Sequence, residues 1–557
     1  MRPTESPTSP ILSSSTTTAT TNPRQFPKSK LVFISMTVLL SLLLIFFITS
    51  SASTRHRHPS TAHREVCRAS RNPTACQASL TTNSPTVLLA VQSAVAISSQ
   101  NLDTAVGMVH HVLADLNRSD AARTCLEILG YARHRMNLTG EALAYTSPAL
   151  GDARAWASGA LAYEYGCLAG LKNVNETEAS GFLNSSLIPS TADVLGMLAS
   201  YSAFGEKTEL WAPPRTEREG FWEPLVSSSS SYYSSSFFPS DFSRPNVSVC
   251  REGGQCDYGT VQEAVDSAPN NSDWRFVIGI KAGMYEETVR VPLEKKNVVL
   301  LGQGMGNTVI TANASVGHHG LTTYNTATVG VLGDGFMASG LTIQNTAGPE
   351  AHQAVAFRSD SDLSIIQNCE FIGNQDTLYA HSLRQYYKSC RILGNIDFIF
   401  GHSASFFEDC LILVAPRQVD PEKGENNVVT AHARIDPGQS TGFVFRNCVI
   451  NGTDEYMRLY RAKPDVHKNF LGRPWKEYSR TLFINCTLEA LIAPDGWMPW
   501  DGEFALGTLY FGEFGNTGPG SNVSGRVGWS SQIPAEHVNS YTLENFIQGN
   551  RWVTASS

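Results

Sequence analysis

A short cassette recurs through the second half of the chain: a few apolar or aromatic residues, a small polar residue, then Cys. It reads Ile365-Ile-Gln-Asn-Cys369, Tyr386-Tyr-Lys-Ser-Cys390, Phe406-Phe-Glu-Asp-Cys410, Val444-Phe-Arg-Asn-Cys448 and Leu482-Phe-Ile-Asn-Cys486. Leu341-Thr-Ile-Gln-Asn345 reads as a further copy, with Thr346 in the Cys place. A unit this short cannot bury its own apolar face, so the copies must stack on one another. A β-sandwich could supply short strands but would not need one shared motif. The pattern predicts a right-handed parallel β-helix over residues 245–557.

Two copies extend into a longer match, Cys369-Glu-Phe-Ile-Gly-Asn-Gln-Asp376 and Cys390-Arg-Ile-Leu-Gly-Asn-Ile-Asp397, with the same Cys-to-Asp offset. Stacked coils would bring the two aspartates to about 4.8 Å of one another, too close for both to ionise freely. Counting eight residues on from the polar residue of each cassette gives Gln353, Asp376 and Asp397, and Gln375 stands directly before Asp376. An amide and two carboxyls are therefore expected along one groove. The same stacking would align Cys369, Cys390 and Cys410. A coil spacing falls within the Cα range of a disulfide, and a ladder of buried thiols is equally open. Cys369 and Cys390 are thus candidates for a bridge whose pairing the sequence leaves unassigned.

The first half has a different grammar. Residues 1–30 are a polar, Ser/Thr-rich tail, and Leu31 to Ile48 form an apolar run within a segment 31–50 flanked by basic residues. Its length is near that of a bilayer span, so it reads as a signal or a membrane anchor that takes the chain into the secretory pathway. Residues 65–205 carry apolar residues at helical spacing in four stretches, which predicts a four-helix bundle. Cys67 and Cys76 bracket a short hairpin-like stretch, and Cys125 and Cys167 fall on separate helices that a bridge would staple. Residues 206–244, with Pro213-Pro214 and the serines from Ser227 to Ser236, read as a linker. Cys250 and Cys256 could form a local bridge just beyond it. Ten Asn-X-Ser/Thr triplets fit a secreted chain: Asn117, Asn137, Asn175, Asn184, Asn246, Asn270, Asn313, Asn451, Asn485 and Asn522. The net charge of −8 argues against a nucleic-acid partner. No zinc-type cysteine spacing, acidic calcium loop or Gly-x-Ser-x-Gly elbow occurs, and no metal or organic cofactor is expected. His318, His319, His381 and His402 show no carboxylate spaced to make a triad.

Several motifs together carry a family resemblance: Gly283-Met-Tyr-Glu-Glu287, Gln353-Ala-Val-Ala-Phe357, Gly373-Asn-Gln-Asp-Thr-Leu-Tyr379, Asp397-Phe-Ile-Phe-Gly401 and Leu471-Gly-Arg-Pro-Trp475. In these the chain resembles plant pectin methylesterases, and residues 65–205, with Trp156-Ala-Ser-Gly-Ala-Leu161, are similar to invertase and pectin methylesterase inhibitors. The resemblance implies hydrolysis of galacturonate methyl esters in cell-wall homogalacturonan, giving methanol. It implies Asp397 as nucleophile, Asp376 as acid then base, Arg473 as the partner of Asp397, and Gln353 and Gln375 as donors to the oxyanion. Tyr379, Trp475 and Trp497 would offer faces to sugar rings, and the bundle would inhibit the catalytic part intramolecularly. Tyr285 and Glu287 are expected only to stabilise an early coil. Asn374 replaces the aromatic common before Gln-Asp in the family, and Phe357 a common Leu. The usual paired-basic processing motif is absent, with single arginines at 215 and 218. Two rivals remain: a β-helix glycoside hydrolase, since close carboxylates also suit a retaining mechanism, and a non-catalytic inhibitor or wall-binding protein.

Overall fold

The computed structural model describes residues 62–80, 84–223, 244–251, 255–417 and 426–553. The tail and the apolar segment 31–50 lie outside these. Among the described residues no helix is long and apolar enough to cross a membrane.

The N-terminal part is helical. Its long helices are α1 (Val87–Val112), α2 (Ser119–Ala144), α3 (Leu150–Asn173) and α4 (Ile188–Phe204). Local chemistry sets their ends. The Thr86 hydroxyl accepts the Leu89 N–H at 3.2 Å to start α1. Pro189 occupies the first turn of α4, and Gly205, at φ 57°, ends it. Helix α3 is buried all round from Asp152 to Glu164. One side meets the other helices and the opposite side meets the β region, which explains its alanine-rich sequence. A bridge joins Cys125 on α2 to Cys167 on α3, and Cys67–Cys76 closes the short helical turns before α1.

From Val247 the chain forms three all-parallel sheets of eleven, seven and eight strands. Each coil visits them in turn. Phe357–Ser359 lies in the seven-stranded sheet, Ser364–Gln367 in the eleven-stranded and Glu370–Ile372 in the eight-stranded, before Leu378–Ala380 returns to the first. This is a parallel β-helix, entered beside the Cys250–Cys256 bridge. Aromatic side chains stack inside it. Tyr387, Phe407, Phe445 and Phe483 lie face to face at 4.7, 4.5 and 4.6 Å, close to the spacing of neighbouring strands.

The recurring polar residue before Cys has a backbone cause. Asn368, Ser389, Asp409, Asn447 and Asn485 all turn the corner between two sheets with φ between 51° and 54°, the left-handed region that Asn and Asp tolerate best. The cysteines that follow point inward, and all five are buried free thiols. Cys369 and Cys390 are therefore not bridged. The Cys390, Cys448 and Cys486 thiols instead donate to carbonyls of the preceding coil, Ile366, Phe407 and Phe445, each at 3.5 Å.

The copy at Leu341–Asn345 is not a true counterpart. Ile365–Gln367 pairs with Met337–Ser339, so Gly340, at φ 68°, takes the place of Asn368. The coil containing Gln353 is longer than the next, and eight-residue counting slips across it.

Residues 206–223, read as linker, are packed. Trp211 joins the helical core. Trp222 stacks on His537 at 4.1 Å. Glu217, 7 % exposed, accepts from Arg480 Nη1 at 2.8 Å and from the Tyr541 hydroxyl at 2.9 Å.

The helical region docks along the corner between the seven- and eleven-stranded sheets. Arg135 on α2 makes a two-pronged bond to Asp334 at 2.6 and 2.8 Å. Asp152 on α3 accepts from Arg384 at 2.7 Å, and the Trp156 indole N–H donates to Asp362 at 2.9 Å. Arg154 joins α3 to Glu223 through two bonds of 2.8 Å. Gly159 permits the close approach, since a Cβ there would meet the Leu383 side chain at 2.8 Å.

Candidate active site

Asp376 and Asp397 occupy adjacent coils at the entry to the seven-stranded sheet. Leu378 pairs with Ile399; carried back two residues, this register sets the aspartates side by side. The Asp376 N–H donates to the Ile396 carbonyl at 3.1 Å, consistent with that pairing. Both have left-handed backbones, φ 67° and 50°. The pairing of Ile396–Gly401 with the next strand also shifts register between Ile396 and Ile399. Such a bulge re-aims the side chains around it, and left-handed aspartates at a bulge are the kind of backbone strain that gathers at functional sites.

Arg473 follows the strand Lys468–Gly472, two strands from Asp397 in the same sheet. Its own N–H is anchored on the Thr430 carbonyl at 3.0 Å. From there Nε reaches Asp397 Oδ1 at 2.8 Å and Nη2 reaches Oδ2 at 2.5 Å, a bidentate charge-assisted pair. The Trp500 ring lies under the guanidinium, 4.3 Å from ring centre to Cζ.

The two carboxyls differ in electrostatics. Burial pushes Asp376 well above the usual carboxylate range and the charge of Asp397 pushes the same way, while Arg473 opposes both from a distance. Burial also raises Asp397, but there the hydrogen bonds and charge of Arg473 act directly against it. Both carboxyls therefore lie above their ordinary value, Asp376 by the larger margin and Asp397 by less because Arg473 opposes its burial.

The floor beside the pair is aromatic. Tyr379 and Phe400, each three residues after an aspartate, stack at 4.1 Å. Trp475 lies 5.8 Å from Phe400 and remains half-buried. Tyr379 is only 7 % exposed, enclosed by Phe400, Tyr324 and His381, so it offers no free face. Trp497 is 1 % exposed inside the coil, stacked on Phe511 at 4.5 Å with its N–H on Glu513 at 3.3 Å. Aromatic identity alone could not separate that interior position from the groove. Gln353 and Gln375 are both half-buried near the pair. The Ala354 N–H donates to the Gln375 carbonyl at 3.2 Å. The Phe357–Leu378 register, however, puts Val355 rather than Gln353 in the column of Asp376.

Phe400 and Trp500 went unread in the sequence. Phe400 was findable, because the spacing that gives Asp376 to Tyr379 also gives Asp397 to Phe400. His381 does have a carboxylate partner, Asp360, with Nδ1 to Oδ1 at 2.5 Å. It belongs to the docking surface, stacked on Tyr163 of α3 at 5.3 Å. Glu287 caps the short helix Val261–Ser267, accepting the Val261 and Gln262 N–H groups at 2.8 and 2.9 Å. Among the described residues no group of acidic, His and Cys side chains is arranged to hold a metal ion. Nine of the ten glycosylation triplets have exposed asparagines, and Asn451 is half-buried.

Fold and site together define a β-helix hydrolase fused to a helical region. The chain belongs to the pectinesterase family: the pectinesterase model matches residues 246–550, and the model for plant invertase/pectin methylesterase inhibitors matches residues 61–201. It is 52 % identical over 513 residues to an Arabidopsis thaliana protein named probable pectinesterase/pectinesterase inhibitor 64, covering 89 % of this chain and 85 % of that one. A pectinesterase of Daucus carota is 46 % identical over 316 residues, covering 56 % of this chain and 96 % of its own. The solved structure of pectin methylesterase from carrot superposes with a TM-score of 0.53 at 45 % identity, covering 56 % of this chain and 96 % of that one.

Proposed function

We propose that the chain hydrolyses methyl esters of galacturonate units in homogalacturonan by double displacement on Asp397. The Asp397 carboxylate attacks the ester carbonyl, and Asp376 gives its proton to the departing methoxy oxygen, releasing methanol. Asp376, now a base, takes a proton from water as the water attacks the acyl-enzyme; Asp397 is freed and Asp376 is protonated again. The Gln353 and Gln375 amides stabilise the developing oxyanion, each by about 3 kcal/mol, and Trp475 provides a sugar-facing surface. The observation that carries the reading is the bidentate Arg473–Asp397 bond beside a second, buried carboxyl whose pKa burial pushes up.

The finer architecture belongs to the same reading. The four long helices form a closed bundle over residues 65–205, the coils wind right-handedly over 245–557, and 206–244 joins the two. The segment 31–48 directs the chain into the secretory pathway toward the cell wall, as signal or type II anchor, and the exposed triplets carry glycans. The bundle restrains the groove, a role supported by the placement of Tyr163 against His381, which in turn packs against Tyr379.

The test is methanol release from methyl-esterified pectin by the full chain, its Asp397→Ala variant and the 245–557 fragment. Methanol without new reducing ends, abolished in Asp397→Ala with the far-UV CD spectrum unchanged, is the expected result. New reducing ends without methanol would favour a glycosidase, and activity retained in Asp397→Ala would refute the nucleophile. A fragment more active than the full chain is expected if the bundle restrains the groove.

A further inference from the structure

The coil ladder is irregular where the two aspartates stand, yet both hold one unusual backbone geometry. A polar rung two residues behind them accounts for this. Asn374 and Asn395 occupy equivalent places in the segments Asn374-Gln-Asp376 and Asn395-Ile-Asp397. The Asn395 Nδ2 donates to Asn374 Oδ1 at 3.0 Å, and the Asn395 N–H donates to the Asn374 carbonyl at 3.2 Å. The pair is therefore joined through main chain and side chain at once. The remaining amide oxygen of Asn395 turns back to accept the Ile396 N–H at 2.9 Å, and the Ile396 carbonyl in turn receives the Asp376 N–H at 3.1 Å. On the other segment the Thr377 hydroxyl donates to the Asn374 carbonyl at 3.2 Å.

These bonds form one path, Asn374 to Asn395 to Ile396 to Asp376, that crosses between the coils and brackets both carboxyls. Asn395 is 2 % exposed and Asn374 half-buried, so the outer end of the rung lies beside the groove and the inner end is fixed. A neutral amide suits the place. It bonds across the coils without adding a charge two residues from a carboxyl that must keep its proton. A Phe at 374 could not accept from the Asn395 side-chain amide and would leave only the main-chain bond between the two coils.

Resting on the esterase reading above, we propose that Asn374 and Asn395 act as a positioning pair that fixes the spacing and relative orientation of Asp376 and Asp397. The pair touches neither substrate nor the reacting atoms. It acts through the backbone of the two residues that do.

The experiment is a double-mutant cycle on the full chain, with Asn374→Ala, Asn395→Ala and the double variant assayed for methanol release across pH, beside Asp397→Asn. Each single variant is expected to lose about 10- to 100-fold in kcat with KM within twofold, because the pair acts on the reacting groups and not on sugar binding. The double variant is expected to lose no more than the worse single. The alkaline limb of the pH profile should move to lower pH as the carboxyls separate and Asp376 loses its neighbour's influence. Should Asn395→Ala give no soluble protein, Asn374→Ala at the half-buried end carries the same kcat and pH measurements. Single variants with lowered melting temperature but unchanged kcat and pH limbs would overturn the proposal, as would losses that simply multiply in the double variant. Methanol release persisting in Asp397→Asn would instead refute Asp397 as the nucleophile, and a parent chain that releases no methanol would fell the esterase reading itself.

Discussion

Glu217 offers the sharpest test of how the helical region is held. Its carboxylate is 7 % exposed and faces two guanidinium groups, Arg480 at 2.8 Å and Arg434 at 3.8 Å, each only 1 % exposed. Replacing it by alanine leaves two buried cations short of an anion, and breaking a buried pair from one side costs about 3–5 kcal/mol. Glu217→Gln keeps the volume and an acceptor for Arg480 and Tyr541 but loses the charge, so about 1.5–3 kcal/mol is expected. Burial alone would raise the Glu217 carboxyl; Arg480 and Arg434 hold it below its ordinary value. A depressed folded-state pKa gives stability that is fully present above the unfolded value of about 4.3 and lost as pH falls through the folded one. Denaturant titrations of parent and variants at pH 7, 5 and 3 therefore should show a large gap at pH 7 that closes toward pH 3. A Glu217→Ala variant within 1 kcal/mol of the parent at pH 7, or a gap indifferent to pH, would refute the electrostatic account of this strap.

Asp376→Asn should abolish methanol release yet stabilise the fold at pH 7. Its raised pKa means that the folded parent is penalised relative to the unfolded chain above about pH 4, so the amide should gain stability at neutral pH and none at pH 3; a destabilised variant at pH 7 would count against this. The buried thiols, with Cys369 pushed up to about 12 by burial, should resist iodoacetamide in the native protein and yield five adducts per chain once denatured without reductant. Native alkylation at any of them would show that the coil opens there.

The stacking of the aspartates was legible because the two segments that carry them close coils of equal length, so a shared Cys-to-Asp offset survives folding. Gln353 was misplaced by the same arithmetic. Its coil carries the extra turn around Pro349–Ala351, and counting from a sequence motif cannot see a loop of different length. The thiol ladder was left undecided because coil spacing satisfies both bridge and stack; the inward aim of each thiol toward a carbonyl settles it. The docking surface was illegible for a different reason. Arg135, Asp152, Arg154 and Glu217 belong to no motif in the sequence, and their β-helix partners lie 199 to 284 residues away. Only burial distinguishes them from solvated charges.

One stretch of chain joins the site to that surface. From Asp376 the coil runs through Tyr379 in the aromatic floor to His381 against Tyr163, Leu383 against Gly159 and Arg384 bonded to Asp152. Leu383 is itself left-handed at φ 68°, so this corner, like the aspartate, is held by its surroundings and not by local preference. The proton-holding carboxyl and the footing of the helical region are eight residues apart on a single coil. Displacing the helices would expose Leu383 and leave Arg384 with Asp362 and Gln548. The strain at this corner would then have one fewer constraint, and the coil that carries Asp376 is the first place where it could relax. Coupling between docking and catalysis thus follows from chain continuity, without any contact between a helix and the reacting atoms.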